Sequence, residues 1–459
     1  MRGSRGKLAQ AEVEGKATIV ADEPDIRGSE PVTVANALFP SPVPHPERAA
    51  VLGEVHARPF YPLKTPTRLL HFAFMTDAQE ALAARAALAN FCREHGLHGP
   101  DPGAKHFRVS LGNQSLRFEQ HSEFATYTLE QAGDAETPFA PAAGGIASVF
   151  AALPQPGRHL VSVDLHLMRP TREPVIDDIF DPSTVAASSV VGSQAAVACD
   201  FLPVNGFVRI LVLDRGLDPA SAGALCVRLL EIETYRVLAL LGLPEAQRVA
   251  PTISEAEAVL ASISSTMASG GGLSEDNALL EKLTALAAQV EAEATRTAFR
   301  FGASRAYEGI VNQRVIAVGE EALGMRPTLS AFLARRLQPA MRTCHMLQER
   351  QADLSSKLAR AANLLRTRVD VEIERQNRDL LYSMNERTRL QLRLQQTVEG
   401  LSVAAISYYV VALLSYVFKA AHDAGWMRLE AGTATAVSVP VVLVAIALMV
   451  RRVRRQNID

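Results

Sequence analysis

The chain has 459 residues, with 47 Lys and Arg against 49 Asp and Glu for a formal net charge of -2. That length exceeds one ordinary domain, and the near balance of charge leaves no global field to draw nucleic acid, which is therefore not an expected partner. The four cysteines, Cys92, Cys199, Cys226 and Cys344, lie far apart with no CxxC spacing, which argues against zinc and against a disulfide framework.

Residues 1–45 are rich in small, charged and proline residues and read as a disordered arm, without the apolar core of a signal peptide. An α+β domain, facing the cytoplasm, is expected over 46–245. It opens on a short helical stretch, PERAAVLGEVHARP, with proline in the first turn. TRLLHFAFMT then alternates as a strand, and a helix follows from Asp77, an N-cap candidate, to about His95. HFRVSLG, QSLRFEQ and EFATYTLEQ read as hairpin strands with Gly112 and Asn113 as a turn. HLVSVDLHLM and FVRILVLD are further strands, and the second leads into a helix from about Pro219 to Leu241. Hairpins mixed with helices give the α+β class.

Residues 246–339 form a helical region, interrupted at Gly270, Gly271 and Gly272. Between Pro339 and Gly400 there is neither glycine nor proline, so 340–400 is expected to be one helical stalk of ~90 Å at 1.5 Å per residue. Leu354, Leu358, Leu365, Ile373, Leu380, Met384, Leu394 and Val398 recur near a 3.5-residue period, as in a coiled coil, which makes a homo-oligomer an expectation.

Residues 401–450 hold two uncharged apolar runs, Leu401 to Phe418 and Ala431 to Val450, each about the ~20 residues that cross a bilayer. A transmembrane helical hairpin is expected, with the lipid bilayer as a partner. Arg387, Arg389 and Arg393 precede the first run, and Arg451, Arg452, Arg454 and Arg455 open the basic tail, 451–459. That bias puts both ends on the cytoplasmic side of the cell's inner membrane.

Candidate chemistry is sparse. EVHARPF places Glu54, His56 and Arg58 together as an acid/base pair with an anion clamp, but Glu54 and His56 do not share a helix face, and Arg58 precedes a helix-ending proline. A structural junction is the expectation there. Asp164 and His166 share one side of a strand and could begin a metal site, although no third ligand is identifiable, and His95, His98 and His106 flank a loop that is expected to be solvated. Glu231, Glu233 and Arg236 in LLEIETYR read as helix charge pairs beside a packing face. GGIAS and SGGGLS follow no strand that opens a phosphate loop, and no Gly-x-Ser-x-Gly elbow occurs. No catalytic, metal or cofactor-binding residue is therefore assigned, no cofactor is expected, and an enzyme is not the expectation. In the first apolar run Ser402, Tyr409, Tyr416 and Lys419 form a polar stripe that could line a pore or pack helices, with packing favoured.

EVHARPF, LLEIETYRVLALLGLP, RFGASRAYEGIVNQR, LLRTRVDVEIERQNRDLLYSMNERTRLQLRLQQTVEGLSVAAISYYVV and the terminal VSVPVV together resemble a family of uncharacterised bacterial membrane-anchored proteins. The resemblance covers nearly everything after about residue 40 and implies membrane anchoring without an activity. In architecture alone, the chain is also similar to CorA-type two-span metal ion channels. The Gly-Met-Asn signature of those channels is absent: residues 418–428 read FKAAHDAGWMR. The function expected is a non-enzymatic interaction or sensing module at the membrane, with an oligomeric ion channel as the alternative.

Overall fold

The computed structural model describes residues 44–48, 51–52, 61–133, 137–140, 145–169 and 176–456. Nearly all of the N-terminal arm, the end of the basic tail, and Glu54, His56 and Arg58 lie outside the described residues.

Nine strands form one sheet: β1 (Thr67–Met75), β2 (His106–Leu111), β3 (Gln114–Gln120), β4 (Phe124–Ala132), β5 (Arg158–Met168), β6 (Ala186–Val190), β7 (Ala195–Val204), β8 (Phe207–Asp214) and β9 (Glu321–Ala322). Their spatial order is β2-β3-β4-β1-β5-β8-β7-β6-β9. Every neighbouring pair is antiparallel except β5 and β8.

Helix α1 (Ala78–Glu94) follows β1 and is closed at its start by a capping box. Asp77 accepts from the amides of Gln79 and Glu80, and Glu80 accepts from the amide of Asp77, so two otherwise orphaned donors are satisfied. α1 and α2 (Gly145–Ala152) cover one face of the sheet, where Phe72, Phe74, Leu88, Phe91, Phe118, Tyr127 and Ile146 bury together. The short α3 (Ile176–Ile179) lies near the far end of the same sheet, with Ile176 beside Leu211 and Leu213.

The opposite face carries α4 (Pro219–Leu240), started by Asp218 as N-cap and Pro219 in the first turn. Its Leu225, Leu229 and Leu238 meet Val163, Leu165 and Ile210 of the sheet. α5 (Gly242–Ser269) follows, and then α6 (Leu273–Val318) and α7 (Leu329–Asp423). Tyr307 and Val311 of α6, with Phe332, Leu333, Leu337 and Met341 of α7, join the same core, so late helices complete the early sheet.

α5, α6 and the first half of α7 form a three-helix bundle around Val249, Ile253, Leu283, Val290, Leu347, Leu354, Leu358 and Leu365. α7 runs 95 residues, through Pro339 and Gly400, where the sequence suggested a start and a flex point. A proline removes one helix bond. Here burial of Leu333, Leu337 and Met341 on both sides of Pro339 holds the axis. From Ile373 to Val398 every residue of α7 is exposed. α8 (Ala431–Gln456) then packs back on the end of α7. These last two helices are long and apolar enough to cross a membrane, with mean hydropathy of 1.9 and 2.4 over their most apolar windows.

The α+β sheet followed by a long helix and a C-terminal apolar helix is thus present as expected. Strands β6 and β7 escape a sequence reading because AASSV and AAVAC are built from alanine and serine, which have weak strand preference. Both are buried on their two faces, so tertiary cover supplies what propensity does not.

A Cβ on Gly223 of α4 would stand 2.0 Å from the Tyr61 carbonyl oxygen, whereas one on Gly302 of α6 would meet nothing within 4 Å. Gly223→Ala should therefore cost roughly 1–3 kcal/mol, and Gly302→Ala should gain about 0.5–1 kcal/mol from helix propensity. Denaturant unfolding of the two variants checks this; equal effects would contradict the close approach of the 61–63 segment to α4.

Candidate functional site: a polar cavity between sheet and helices

The helix-covered face of the sheet changes character along one cross-strand row. Reading from the centre outward, the register places Val208, Val163, His71, Thr128, Arg117 and Arg108 side by side. The next row adds Ala73, Thr126, Glu119 and His106. Alternation explains this arrangement: in QSLRFEQ the apolar Leu116 and Phe118 point into the α1 core, so Arg117 and Glu119 must face the other way, toward α4.

Where α4 and α6 pass over this polar half, a cavity of about 160 Å³ remains. The sheet contributes His71, Arg117, Glu119 and Thr126, and the turn before β4 contributes His121. Glu231, Thr234 and Tyr235 come from α4, and Arg314 from α6. His121, Phe124 and Tyr235 also line a larger open groove of about 670 Å³ that reaches Asp77 and Tyr307. Those three side chains therefore stand between the cavity and the outside.

His71 is the innermost polar group, 4 % exposed. Its Nε2 lies 3.0 Å from Thr234 Oγ1, and its Nδ1 lies 2.8 Å from Thr128 Oγ1. The Thr234 hydroxyl already donates to the Leu230 carbonyl at 2.8 Å, so it accepts from His71, which fixes the proton on Nε2; Nδ1 then accepts from Thr128. Burial, reinforced by the positive charge of Arg117, pushes the His71 pKa down to about 3, and the ring is neutral.

The carboxylates of the cavity are held by cations. Burial opposes ionisation of Glu119, but His106, at 3.6 Å, and the charges of Arg117 and His121 outweigh it and bring its pKa down to about 2. Glu231 takes Arg314 Nε at 2.6 Å. Beside the cavity, buried Glu123 accepts from Tyr307 Oη at 2.6 Å and from both Arg300 terminal nitrogens at 3.3 and 2.6 Å. Phe124 meets Tyr235 and Tyr307 edge-on, and the two tyrosines stack with centroids 5.5 Å apart.

Two stretches noted in the sequence thus meet here: LLEIETYR supplies Glu231, Thr234 and Tyr235, and RFGASRAYEGIVNQR supplies Arg300, Tyr307 and Arg314. Glu233 and Arg236 form the expected pair within the helix, at 2.6 and 2.8 Å, while Glu231 reaches across to α6 instead. His71, Arg117, Glu119 and Thr126 were not singled out from the sequence. The available signal was a histidine at an inward position of an apolar strand, and charges on alternate positions of QSLRFEQ.

The other candidate residues lie elsewhere. Asp164 is held by Arg68 at 3.0 and 2.7 Å, with His166 Nε2 3.2 Å away. Burial resists its ionisation, but His166 and Arg68 prevail and keep its carboxyl below the usual range. No group of three or more potential ligands suited to a metal occurs among the described residues. His95 Nδ1 donates to the Phe91 carbonyl at 2.8 Å. Ser402, Tyr409, Tyr416 and Lys419 are exposed on α7. The face that packs between α7 and α8 carries Ser407 and Val442 instead, so the stripe makes no packing within the chain.

Neutral His71 fits the cavity only without its second proton, so the folded state loses stability as pH falls from the unfolded pKa of 6.5 toward about 3, and keeps it in full above 6.5. The loss between pH 7 and pH 5 should be about 2 kcal/mol. His71→Gln should flatten the thermal-midpoint profile in that window. An unchanged slope would show that another group sets it.

Comparison with curated proteins and with solved structures gives no match, so the likeness to CorA-type channels rests on element order alone. Residues 43–457 match the model of a family described as Protein of unknown function (DUF3422), and the chain belongs to that family.

Proposed function

We propose that the chain is a membrane-anchored, non-enzymatic sensing or interaction module, with the cavity as its input and the long helix as its output. The observation that supports this reading is continuity. Leu333 and Leu337 of α7 sit in the core beneath the sheet, and the same helix ends in an apolar stretch with mean hydropathy 1.9. A change at the α4–α6 wall of the cavity acts on a body that α7 completes.

In this reading α7 and α8 form a transmembrane hairpin in the inner membrane, and the sheet, bundle and both chain ends are cytoplasmic. The arginines at 387, 389, 393, 451 and 452 favour that orientation. Native cysteines are buried, which leaves a clean background for labelling. Trp426→Cys, in the turn between α7 and α8, should react with a membrane-impermeant thiol reagent in intact spheroplasts, and Ser356→Cys, on the bundle, only after permeabilisation. The reverse pattern would overturn the orientation.

The second half of the stalk supports self-association. Ile373, Leu380, Met384, Leu394 and Val398 are 43–66 % exposed although they continue the period of the residues buried above them. With Asn377, Arg387 and Gln391 in register, this is the seam of a parallel coiled coil, and a second copy of the chain is its occupant. Leu380→Cys should give a disulfide-linked dimer under mild oxidation in native membranes. Monomer throughout would contradict the pairing.

A further inference from the structure

We propose that the cavity binds a small oxyanion, a carboxylate or phosphate group on a metabolite-sized molecule, and that Arg117 is its principal contact. The assignment deepens the reading of the cavity as a sensor input and rests on it. It comes from two buried polar groups in the walls that have no hydrogen-bond partner among the described residues.

Glu231 is paired with Arg314, and Glu119 has the His106 ring 3.6 Å away and the charge of Arg117 two positions along the same strand. Arg117 feels the charge of Glu119 without an ion-pair contact to it. Its Nε is buried and donates to nothing, and no carboxylate lies within ion-pair distance of it among the described residues. Its cross-strand partner is Arg108, a like charge directly opposite, which by itself destabilises a sheet. Arg108 is satisfied elsewhere, by Glu130 at 3.0 Å, Ser115 at 3.3 Å and the Tyr61 ring at 4.2 Å. Arg117 therefore keeps a buried guanidinium nitrogen without an acceptor among the described residues.

A second orphan lies beside it. Thr126, only 3 % exposed, lines the same cavity, and its hydroxyl has no hydrogen-bond partner among the described residues. A guanidinium fork next to a free hydroxyl donor is a recognition pattern for a planar or tetrahedral oxyanion. Phe124 and Leu230 add an apolar wall for the body of the ligand. The cavity of about 160 Å³ has room for a carboxylate or phosphate group, and the adjoining groove past His121, Phe124 and Tyr235 gives it a way in.

The test uses the full chain in detergent, unfolded by heat in chloride medium of constant ionic strength, with inorganic phosphate or benzoate as probe. Wild type should show a saturable rise of several degrees with one of the two, and which one identifies the oxyanion. Arg117→Met should lose that rise while still unfolding cooperatively, which shows that the fold survives the substitution. Arg117→Lys, which keeps the charge but not the fork, should need roughly tenfold more anion. The proposal is overturned by no rise above chloride with either probe or by an equal rise in Arg117→Met. Wrong-sided labelling at Trp426→Cys would instead remove the sensor reading and leave anion binding standing.

Discussion

The structure depends on one helix that belongs to two environments. α7 starts against the sheet edge, where Glu320 accepts from the Leu329 and Ser330 amides at 3.0 and 2.9 Å and from the Ser188 hydroxyl at 2.8 Å. A carboxylate at a helix start satisfies orphan donors and meets the positive end of the helix dipole. Because Ser188 belongs to β6, this contact also fixes the axis of α7 relative to the sheet. Burial of Phe332, Leu337 and Met341 then locks it. Everything farther along, from the three-helix bundle to the apolar end, inherits that direction.

The cavity follows from the same packing. α4 covers an apolar sheet centre tightly, but the outer strands present His71, Thr128, Arg117 and Glu119 to it, and polar side chains of this length cannot interdigitate with a helix as valines do. Space is left over, and α6 closes it with Arg314 and the Tyr307–Glu123–Arg300 cluster. α6 and α7 share both the sheet core and the bundle core. The walls of the cavity and the root of the stalk are consequently parts of one packed body.

Much of this was legible in the residues. Asp77 with Glu80, Asp218 with Pro219, and the alternation of TRLLHFAF and QSLRFEQ announce their elements, and two uncharged runs announce the apolar helices. The family resemblance was legible as well, because several long stretches carry it. The cavity was not, because it depends on register: nothing in the order of residues says that Arg108 stands opposite Arg117, or that His71 meets Thr128 and Thr234, which lie 57 and 163 residues away. The role of LLEIETYR and RFGASRAYEG was hidden for the same reason, since their charges act across helices as well as along them. Burial, not spacing, separates the two halves of the stalk: the apolar period continues past Val369, but α5 ends and α6 begins beside it, and the residues beyond are uncovered.

The central claim is that a single rigid helix joins the ligand-facing core to the membrane. It is tested most directly by spin-label distances in lipid nanodiscs, with labels at positions 356 and 396 and an excess of unlabelled protein to suppress contacts between copies. Forty residues of unbroken helix predict a narrow distribution near 60 Å at 1.5 Å per residue. A broad distribution, or one centred well below that distance, would show that α7 bends or melts between bundle and bilayer, and the mechanical link would be lost.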